Sequence, residues 1–425
     1  GYGMPSYTLL GRTVIKLPFI VYTSLGHEIA HNWWGNSVYV DYEGGNWCEG
    51  LTTYLADYHY KELESHESAT QYRKEILQDY TNYVNPANDF PLTDFTERTT
   101  PASRAIGYGK AAMVFHMLRQ KFGDELFFNA LKEVYRKKKW KKTLWADFEN
   151  TFQKLSKEDL RWFFNQWVER KGAPFIKLGK VSLKKDKIKF EIIQEGEPYN
   201  LEVPVLVKTA DGTEKTIKAK ISTPKKKFTL KVETKPVSIQ IDPYNDIFRK
   251  LHRDEIPPTL SQVLGDTNQI IVLPGSANSE AVESYKNLAE ILNRPGKARV
   301  IQDNEVEKQI IESNSIFILG GITENSLASK LLEFAEQEVS ISYTGFTLMG
   351  KEYNDLGSAL LAVFRNPYNR EKAIAIFFSN EASGIIPAGR KLPHYGKYSY
   401  LAFIMGQNKA KGVWKVEKSP LIYYF

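Results

Sequence analysis

The segment from His27 to Glu49 carries the side chains with the clearest chemical potential in this sequence. His27-Glu28-Ile29-Ala30-His31 places two histidines four residues apart, and on a helix that spacing puts both imidazoles on one face. Two imidazoles on one face can bind the same metal ion, and zinc is the ion that such pairs commonly hold. Glu28 lies about one-third of a turn from His27, which directs its carboxylate at a water on the metal rather than at the metal itself. The motif therefore predicts a zinc site with Glu28 as general base and then general acid.

Glu49 is the expected third ligand. A catalytic zinc site needs three protein ligands and one open position, and the third should be a carboxylate or imidazole on a neighbouring helix. Seventeen residues separate His31 from Glu49, enough for a turn out of the first helix and entry into a second. We therefore expect His27, His31 and Glu49 to hold one zinc ion (Zn2+) per chain.

Three longer segments carry a family resemblance. Residues 27–31 are followed by Asn32-Trp33-Trp34-Gly35-Asn36, and Glu49 lies within Trp47-Cys48-Glu49-Gly50-Leu51-Thr52-Thr53-Tyr54. In these segments the sequence resembles the aminopeptidase N family of zinc metallopeptidases, which are gluzincins with a thermolysin-like catalytic domain. Gly107-Tyr108-Gly109-Lys110-Ala111 is similar to the Tyr-x-Lys-Gly segment of that family. The resemblance implies that the Tyr108 hydroxyl stabilises the tetrahedral oxyanion of peptide hydrolysis, the role of preorganised donors in acyl transfer.

Two departures from the family pattern bear on specificity. The spacer between His31 and Glu49 is one residue shorter than usual, which a connecting turn can absorb. Gly3-Met4-Pro5-Ser6 corresponds to the family's Gly-x-Met-Glu-Asn strand, whose glutamate grips the free amino terminus of the substrate. Pro5 stands in place of that glutamate, although an aminopeptidase needs a carboxylate to bind an ammonium group. Aminopeptidase specificity is therefore left open against an endopeptidase or a specialised hydrolase.

The elements that must position these residues fall into three zones. Residues 1–172 show helical periodicity, with one helix expected from Leu17-Pro18 to near Gly35 and others over residues 47–62, 67–83 and 108–121. Short alternating runs follow, and Asp211-Gly212 lies between two of them as a hairpin signal. After Pro257-Pro258, continuous apolar runs alternate with helical stretches, the pattern of buried parallel strands in an α/β layer.

The sequence therefore predicts a multidomain α+β protein. Its parts are a mostly helical zinc peptidase catalytic domain over residues 1–172, an antiparallel β-sandwich over 173–256 and an α/β layer domain of unknown role over 257–425. Relative to the family pattern the chain starts at the Gly-x-Met strand. We therefore expect an N-terminally truncated form that lacks the upstream β region and has lower stability or activity than a longer form.

Composition limits the other possibilities. The single cysteine, Cys48, excludes an internal disulfide framework, and no apolar run approaches the eighteen or so residues of a transmembrane helix. The net charge of +7 comes largely from lysine clusters, and we interpret them as solvated surface rather than a nucleic-acid site because no nucleic-acid motif accompanies them. The expected partner is a peptide or protein substrate, with the oligomeric state left open. The layout and sparse cysteine favour a secreted or periplasmic location, and a cytoplasmic one stays open.

One alternative from another class stays open. In a binding or adhesion protein the zinc site would be a relic and the C-terminal domain would supply the function.

Overall fold

The computed structural model describes residues 1–18, 20–293, 296, 298–333, 338–416 and 419–425. They form two compact units, one made of Gly1–His252 with Ser419–Phe425 and the other of Arg253–Lys418. The chain is thus a multidomain protein of mixed α and β structure. Among the described residues, no helix is both long enough and apolar enough to cross a membrane.

The first unit opens with a β-hairpin and continues as helices joined by tight turns. The hairpin pairs β1 (Tyr2–Met4) with β2 (Tyr7–Leu9). The α-helices are α1 (Ser24–Ala30), α2 (Cys48–Thr52), α3 (His59–Glu64), α4 (His66–Tyr83), α5 (Pro101–Arg104), α6 (Ala111–Lys138, kinked at Gly123), α7 (Trp145–Ser156) and α8 (Arg161–Phe164). Three π-helices interrupt or extend them, at Thr53–Tyr58, Ala105–Lys110 and Asn165–Glu169. Two short strands, β3 (Tyr39–Val40) and β4 (Lys142–Thr143), pair in parallel.

The helix that carries the two histidines is shorter than the sequence predicts. The sequence predicts a helix from Leu17-Pro18 to near Gly35, whereas α1 spans Ser24–Ala30 and a 3-10 helix, Ile20–Tyr22, precedes it. Two of the three residues in that 3-10 helix are β-branched, as is Thr23, and β-branching lowers helix propensity. Gly35 has a φ of 108°, a conformation that a helix cannot continue through.

Two antiparallel sheets, which we interpret as the predicted β-sandwich, follow the helices within the same unit. Their strands are β5 (Phe175–Leu178), β6 (Ser182–Lys184), β7 (Lys187–Glu195), β8 (Leu201–Thr209), β9 (Glu214–Ile221), β10 (Lys225–Lys231) and β11 (Pro236–Ile241). One sheet has the order β10-β7-β5 with β6 also on β7, and the other contains β11-β8-β9. Asp211-Gly212 lies in the turn between β8 and β9, where Gly212 has a φ of 83°. That is the hairpin the sequence predicts.

The second unit is an α/β layer. Its strands are β12 (Gln269–Leu273), β13 (Arg299–Gln302), β14 (Ser315–Leu319), β15 (Val339–Ile341), β16 (Phe346–Leu348), β17 (Lys351–Tyr353), β18 (Ser358–Arg365), β19 (Ala373–Ser379), β20 (Tyr400–Ile404) and β21 (Gln407–Gly412), and its helices are α9 (Leu260–Leu264), α10 (Ser279–Leu292), α11 (Lys308–Ser313), α12 (Ser326–Leu332) and α13 (Ala382–Gly389). The main sheet has the order β13-β12-β14-β19-β18-β20-β21, and its first four strands are parallel. Alternate residues of β12 belong to two different apolar clusters, with Ile271 in one and Val272 in the other. The sheet is therefore buried on both faces, as continuous apolar strands require.

The last strand, β22 (Ile422–Tyr424), belongs to the first unit. It pairs antiparallel with β11, and Tyr423 lies opposite Ile239. From the sequence we predict one domain over residues 257–425, because a three-residue strand gives no local signal of which sheet it joins. We retain the division of the first unit into a catalytic domain over 1–172 and a sandwich over 173–256 as a proposal.

Candidate metal centre

His27, His31 and Glu49 converge on one point between α1 and α2. One ligand atom from each lies within 4.8 Å of the other two. The Nε2 atoms of His27 and His31 lie 3.2 and 3.5 Å from the same carboxylate oxygen of Glu49, Oε2. Two imidazole nitrogens and one carboxylate oxygen form a donor set that suits zinc. The residues that the sequence nominates as ligands are thus brought together.

Hydrogen bonds on the far side of each ring orient the two histidines. Nδ1 of His27 donates to Asp57 Oδ2 at 2.6 Å, and Nδ1 of His31 lies 3.0 Å from the carbonyl oxygen of Trp34. A proton held on Nδ1 leaves the lone pair on Nε2, which is the atom that faces Glu49. The outer contacts therefore select the tautomer in which both rings can bind a metal ion.

The π-helix at Thr53–Tyr58 brings Asp57 to His27. In a regular α-helix of ~100° per residue, eight residues past Glu49 would leave Asp57 about 80° away from the Glu49 face. A π-helix takes about one extra residue per turn, so the chain winds less per residue and Asp57 returns to that face. The sequence does predict that Thr53 and Asp57, one and two turns after Glu49, can share its face and orient metal ligands, and Asp57 does contact His27. The π-helix itself leaves no periodic mark in so short a segment.

Thr52 is a contact that sequence reasoning missed. Its Oγ1 lies 3.3 Å from Nε2 of His27 and donates to the backbone carbonyl oxygen of Cys48 at 2.9 Å. A threonine one turn after Glu49 looks in the sequence like any other polar helix residue, so the sequence gives no reason to expect this contact.

Burial and hydrogen bonding set the protonation of the three candidate ligands. Burial alone lowers the pKa of His27, but hydrogen bonds to Asp57 and Glu49 outweigh it and raise that pKa to about 10. Burial likewise lowers the pKa of His31, while Cys48 and Glu49 raise it to about 10. Burial raises the pKa of Glu49, and the two histidines bring it down to about 2. The polypeptide alone thus gathers positive charge around a carboxylate, an arrangement in which a divalent cation can replace the protons.

Tyr108 lies on the second π-helix, beside the three ligands. Its ring is nearly parallel to that of His27, with an interplanar angle of 12° and centroids 6.2 Å apart, and it meets Phe95 edge-on. Burial, the negative charge of Glu49 and a hydrogen bond to Glu49 raise the pKa of the Tyr108 hydroxyl. The hydroxyl therefore keeps its proton at neutral pH and can donate a hydrogen bond.

Glu28 completes the set on the floor of a cavity. This side chain follows His27 on α1 and is buried. A cavity of about 740 Å³ is lined by Glu28, the three candidate ligands and Tyr108, among other residues. All five residues that the sequence nominates therefore face one space that can admit a peptide.

The N-terminal hairpin forms one wall of this cavity. Gly3 packs so closely on α1 that a Cβ there would lie 2.6 Å from the backbone oxygen of Glu28 and from His31 Cβ, so only glycine fits. Asn36 Nδ2 donates to the Gly3 carbonyl oxygen at 2.8 Å and ties the strand down. Pro5 lies in the exposed hairpin turn outside the residues that line the cavity.

Parts of the chain are similar to known proteins. Residues 20–167 match the peptidase family M1 domain. The chain is 26% identical over 160 residues to aminopeptidase N of Lactococcus lactis, covering 36% of this chain and 19% of that protein. It is 24% identical over 245 residues to aminopeptidase 2 of Candida albicans, covering 54% of this chain and 25% of that protein. Among solved structures, Legionella pneumophila aminopeptidase A in complex with aspartic acid aligns with 67% of this chain and 32% of that chain, at 17% identity and a TM-score of 0.38.

The candidate ligand set and the matched segment are both similar to those of metallopeptidases. The resemblance to the aminopeptidase N family is confirmed for the matched segment, residues 20–167. It spans about a fifth to a quarter of the length of these two curated relatives.

Proposed function

We propose that the protein hydrolyses peptide bonds with one zinc ion held by His27, His31 and Glu49. The observation that carries this proposal is the convergence of three ligand atoms within 4.8 Å on the wall of a cavity that Glu28 and Tyr108 also line. When bound, zinc would polarise the scissile carbonyl and lower the pKa of a water molecule to about 7. We also propose that residues 1–172 form a thermolysin-like catalytic domain, to which the sandwich over 173–256 and the α/β domain over 257–425 are appended.

Glu28 is the proton carrier in this scheme. Its carboxylate accepts a proton from the attacking water and then delivers it to the leaving amine, so that the amine departs neutral. The position next to His27 in sequence supports this role, because the carboxylate faces the cavity while the neighbouring histidine faces the ligand set. Burial also keeps bulk water from competing for the proton.

Tyr108 stabilises the oxygen that becomes negative. A peptide carbonyl gains negative charge during attack, and a fixed hydroxyl donor aimed at that oxygen lowers the barrier. The raised pKa of the Tyr108 hydroxyl supports donation rather than ionisation. Asp57 has no direct part in the reaction, since it acts by holding the ring of His27.

The carboxylates of the cavity bear on the choice between an aminopeptidase and an endopeptidase. Glu97 and Asp79 line the cavity besides Glu28, Glu49 and Asp57. Asp79 lies 3.5 Å from Arg104, whereas Glu97 is exposed on the cavity rim and has no basic partner within 4 Å among the described residues. Glu97 is therefore our candidate for binding a substrate ammonium group in the place of the family's glutamate. The relatives named aminopeptidases favour an aminopeptidase, and an endopeptidase or specialised hydrolase is the second candidate because Pro5 lies outside the cavity lining.

Removal and return of zinc tests both parts of the proposal. We expect dialysis against a strong chelator to abolish hydrolysis, and one equivalent of zinc per chain to restore it. The assay should include an aminoacyl anilide with a free amino group and an amino-blocked peptide of the same sequence. Activity that survives complete zinc removal would exclude the zinc mechanism, and a preference for the blocked peptide would exclude the aminopeptidase.

A further inference from the structure

Three aromatic side chains lie exposed beside the catalytic cavity. Tyr39, Tyr42 and Trp140 are 41%, 58% and 59% exposed, and we call them the aromatic strip. The rings of Tyr39 and Trp140 are 6.2 Å apart, because the pairing of β3 with β4 brings their segments together. Tyr42 follows β3 directly and also lines the cavity. One member of the strip, Tyr42, therefore reaches the space where the peptide bond would be cut.

The backbone at Trp140 adopts a conformation that bulky residues avoid. Its φ of 65° lies in the left-handed region, which β-carbon-bearing side chains populate sparsely. The Trp140 amide donates to the Ser37 carbonyl oxygen at 2.6 Å, and the Tyr39 amide donates to the Lys141 carbonyl oxygen at 3.1 Å. These bonds hold a large indole in solvent rather than in a core. The backbone hydrogen bonds fix this conformation, and the indole that it presents is more than half exposed.

Positive charge surrounds the strip. Residues 136–142 carry six basic side chains, and four of them have carboxylate partners: Arg136 and Lys137 with Glu133, Lys138 with Asp147, and Lys142 with Asp41. Lys139 and Lys141, on either side of Trp140, have no carboxylate within 4 Å in the part of the chain that the structure describes. The Lys139 ammonium lies 5.2 Å from the centre of the Trp140 ring system.

We propose that the aromatic strip, with Lys139 and Lys141, binds an acidic stretch of the peptide substrate outside the catalytic cavity. This inference rests on the proposed peptidase function and adds a substrate class to it, peptides rich in aspartate or glutamate near the scissile bond. The two ammonium groups complement carboxylates, and the exposed rings offer flat surfaces against which peptide groups and side-chain methylenes pack. A nucleic acid would offer negative charge and stacking as well, but Tyr42 lines the cavity in which we propose that peptides are cut, and this favours a peptide.

Binding is measured without turnover, in the Glu28→Gln background. The probes are a fluorescent ten-residue peptide containing four glutamates, its counterpart with glutamine at those positions, and a single-stranded oligonucleotide of equal length. Fluorescence anisotropy gives the dissociation constants. The test variants are Trp140→Ala and the double variant Lys139→Ala/Lys141→Ala. Matched controls are Trp162→Ala, which removes an exposed tryptophan of α8, and Lys184→Ala/Lys187→Ala, which removes two exposed lysines of a sandwich hairpin.

The expected outcome is a loss confined to the strip. Loss of both lysines should weaken binding of the acidic peptide about 5- to 10-fold, which is the effect expected from the loss of two exposed ion pairs. Binding of the glutamine peptide should weaken less than about 2-fold. Trp140→Ala should weaken binding of both peptides about 5-fold. The dissociation constants of the control variants should stay within about 2-fold of the parent values. Equal binding of the two peptides by the parent, or unchanged binding by both test variants, would overturn the proposal. Tighter binding of the oligonucleotide through the same residues would overturn it in favour of a nucleic-acid surface.

Turnover measurements distinguish failure of the acidic-peptide surface from failure of the proposed peptidase function. If the wild-type protein with bound zinc cleaves neither peptide but the binding pattern above holds, the peptidase function fails and the acidic-peptide surface stands. If the wild type cleaves both peptides with the same kcat/KM and the variants bind normally, the peptidase function stands and the surface fails.

Discussion

Replacing Asp57 by asparagine keeps the size of the side chain and removes the negative charge that faces His27. The Asp57 carboxylate accepts the proton of His27 Nδ1 at 2.6 Å and so leaves Nε2 free to bind a metal. An asparagine can present either its oxygen or its NH2 group to that ring atom. The second choice favours the tautomer with the proton on Nε2, which cannot bind zinc.

The size of the loss follows from this contact. A hydrogen bond to a charged group contributes about 1.5–3 kcal/mol, and every ~1.4 kcal/mol is a factor of ten in an equilibrium constant. The expected loss in zinc affinity is therefore roughly 10- to 100-fold, in the range seen when the outer partner of a metal-binding histidine is removed. Activity at limiting zinc should fall in parallel, and excess zinc should restore part of it.

Competition with a chromophoric chelator at fixed pH measures this affinity directly. Asp79→Asn is the matched control, because Asp79 lines the same cavity but lies on α4 beside Arg104. We expect the control to bind zinc within about 3-fold of the wild type. Unchanged affinity in Asp57→Asn would refute the reasoning. Equal weakening by both variants would assign the effect to cavity charge rather than to the orientation of His27.

Two further predictions concern Tyr108 and Lys110. Tyr108→Phe should lower kcat about 10²- to 10³-fold with zinc content unchanged, as steady-state kinetics and elemental analysis would record; a kcat within threefold of the wild type would contradict the oxyanion role. Lys110 is fully buried and donates to the Arg170 carbonyl oxygen at 2.7 Å, and burial lowers its pKa to about 8. Between pH 8 and 10.5 the unfolded chain binds this proton more tightly than the folded one, so the cost of burying the charge is relieved as the pH rises. Relative to Lys110→Met, the free energy of unfolding of the wild type should therefore rise by roughly 2 kcal/mol from pH 8 to pH 10, and denaturant titrations that show no relative rise would contradict the burial of a charged lysine.

The convergence of the three candidate ligands could be predicted from sequence because it depends on residue type and short spacing. Two histidines four residues apart on a helix must share a face, and Glu49 needed only a second helix nearby. Tyr108 came from resemblance alone, since one tyrosine among 24 carries no signal of its own.

The register around the site could not be predicted in the same way. The π-helix that brings Asp57 to His27 lies within a packed network, in which Tyr54 stacks on Tyr58 with centroids 4.9 Å apart and Tyr54 contacts buried His116. That packing selects the winding, whereas local pattern shows only helical periodicity. The pairing of β22 with β11 could not be predicted for a related reason. Tyr424 of β22 pairs with Ser238 of β11, which lies far from it along the chain.

The central claim is that Glu28 carries the proton in zinc-dependent peptide hydrolysis. The most direct test measures both the peptide hydrolysis and the zinc content of the Glu28→Gln variant. Glutamine has the shape of glutamate but cannot accept the proton of the attacking water. We expect about one zinc per chain in both proteins and a kcat for the variant about 10²- to 10⁴-fold below that of the wild type. Turnover by Glu28→Gln within a few-fold of the wild type would contradict the role of Glu28, and stoichiometric zinc without turnover by the wild type would favour a binding or adhesion protein with a relic zinc site.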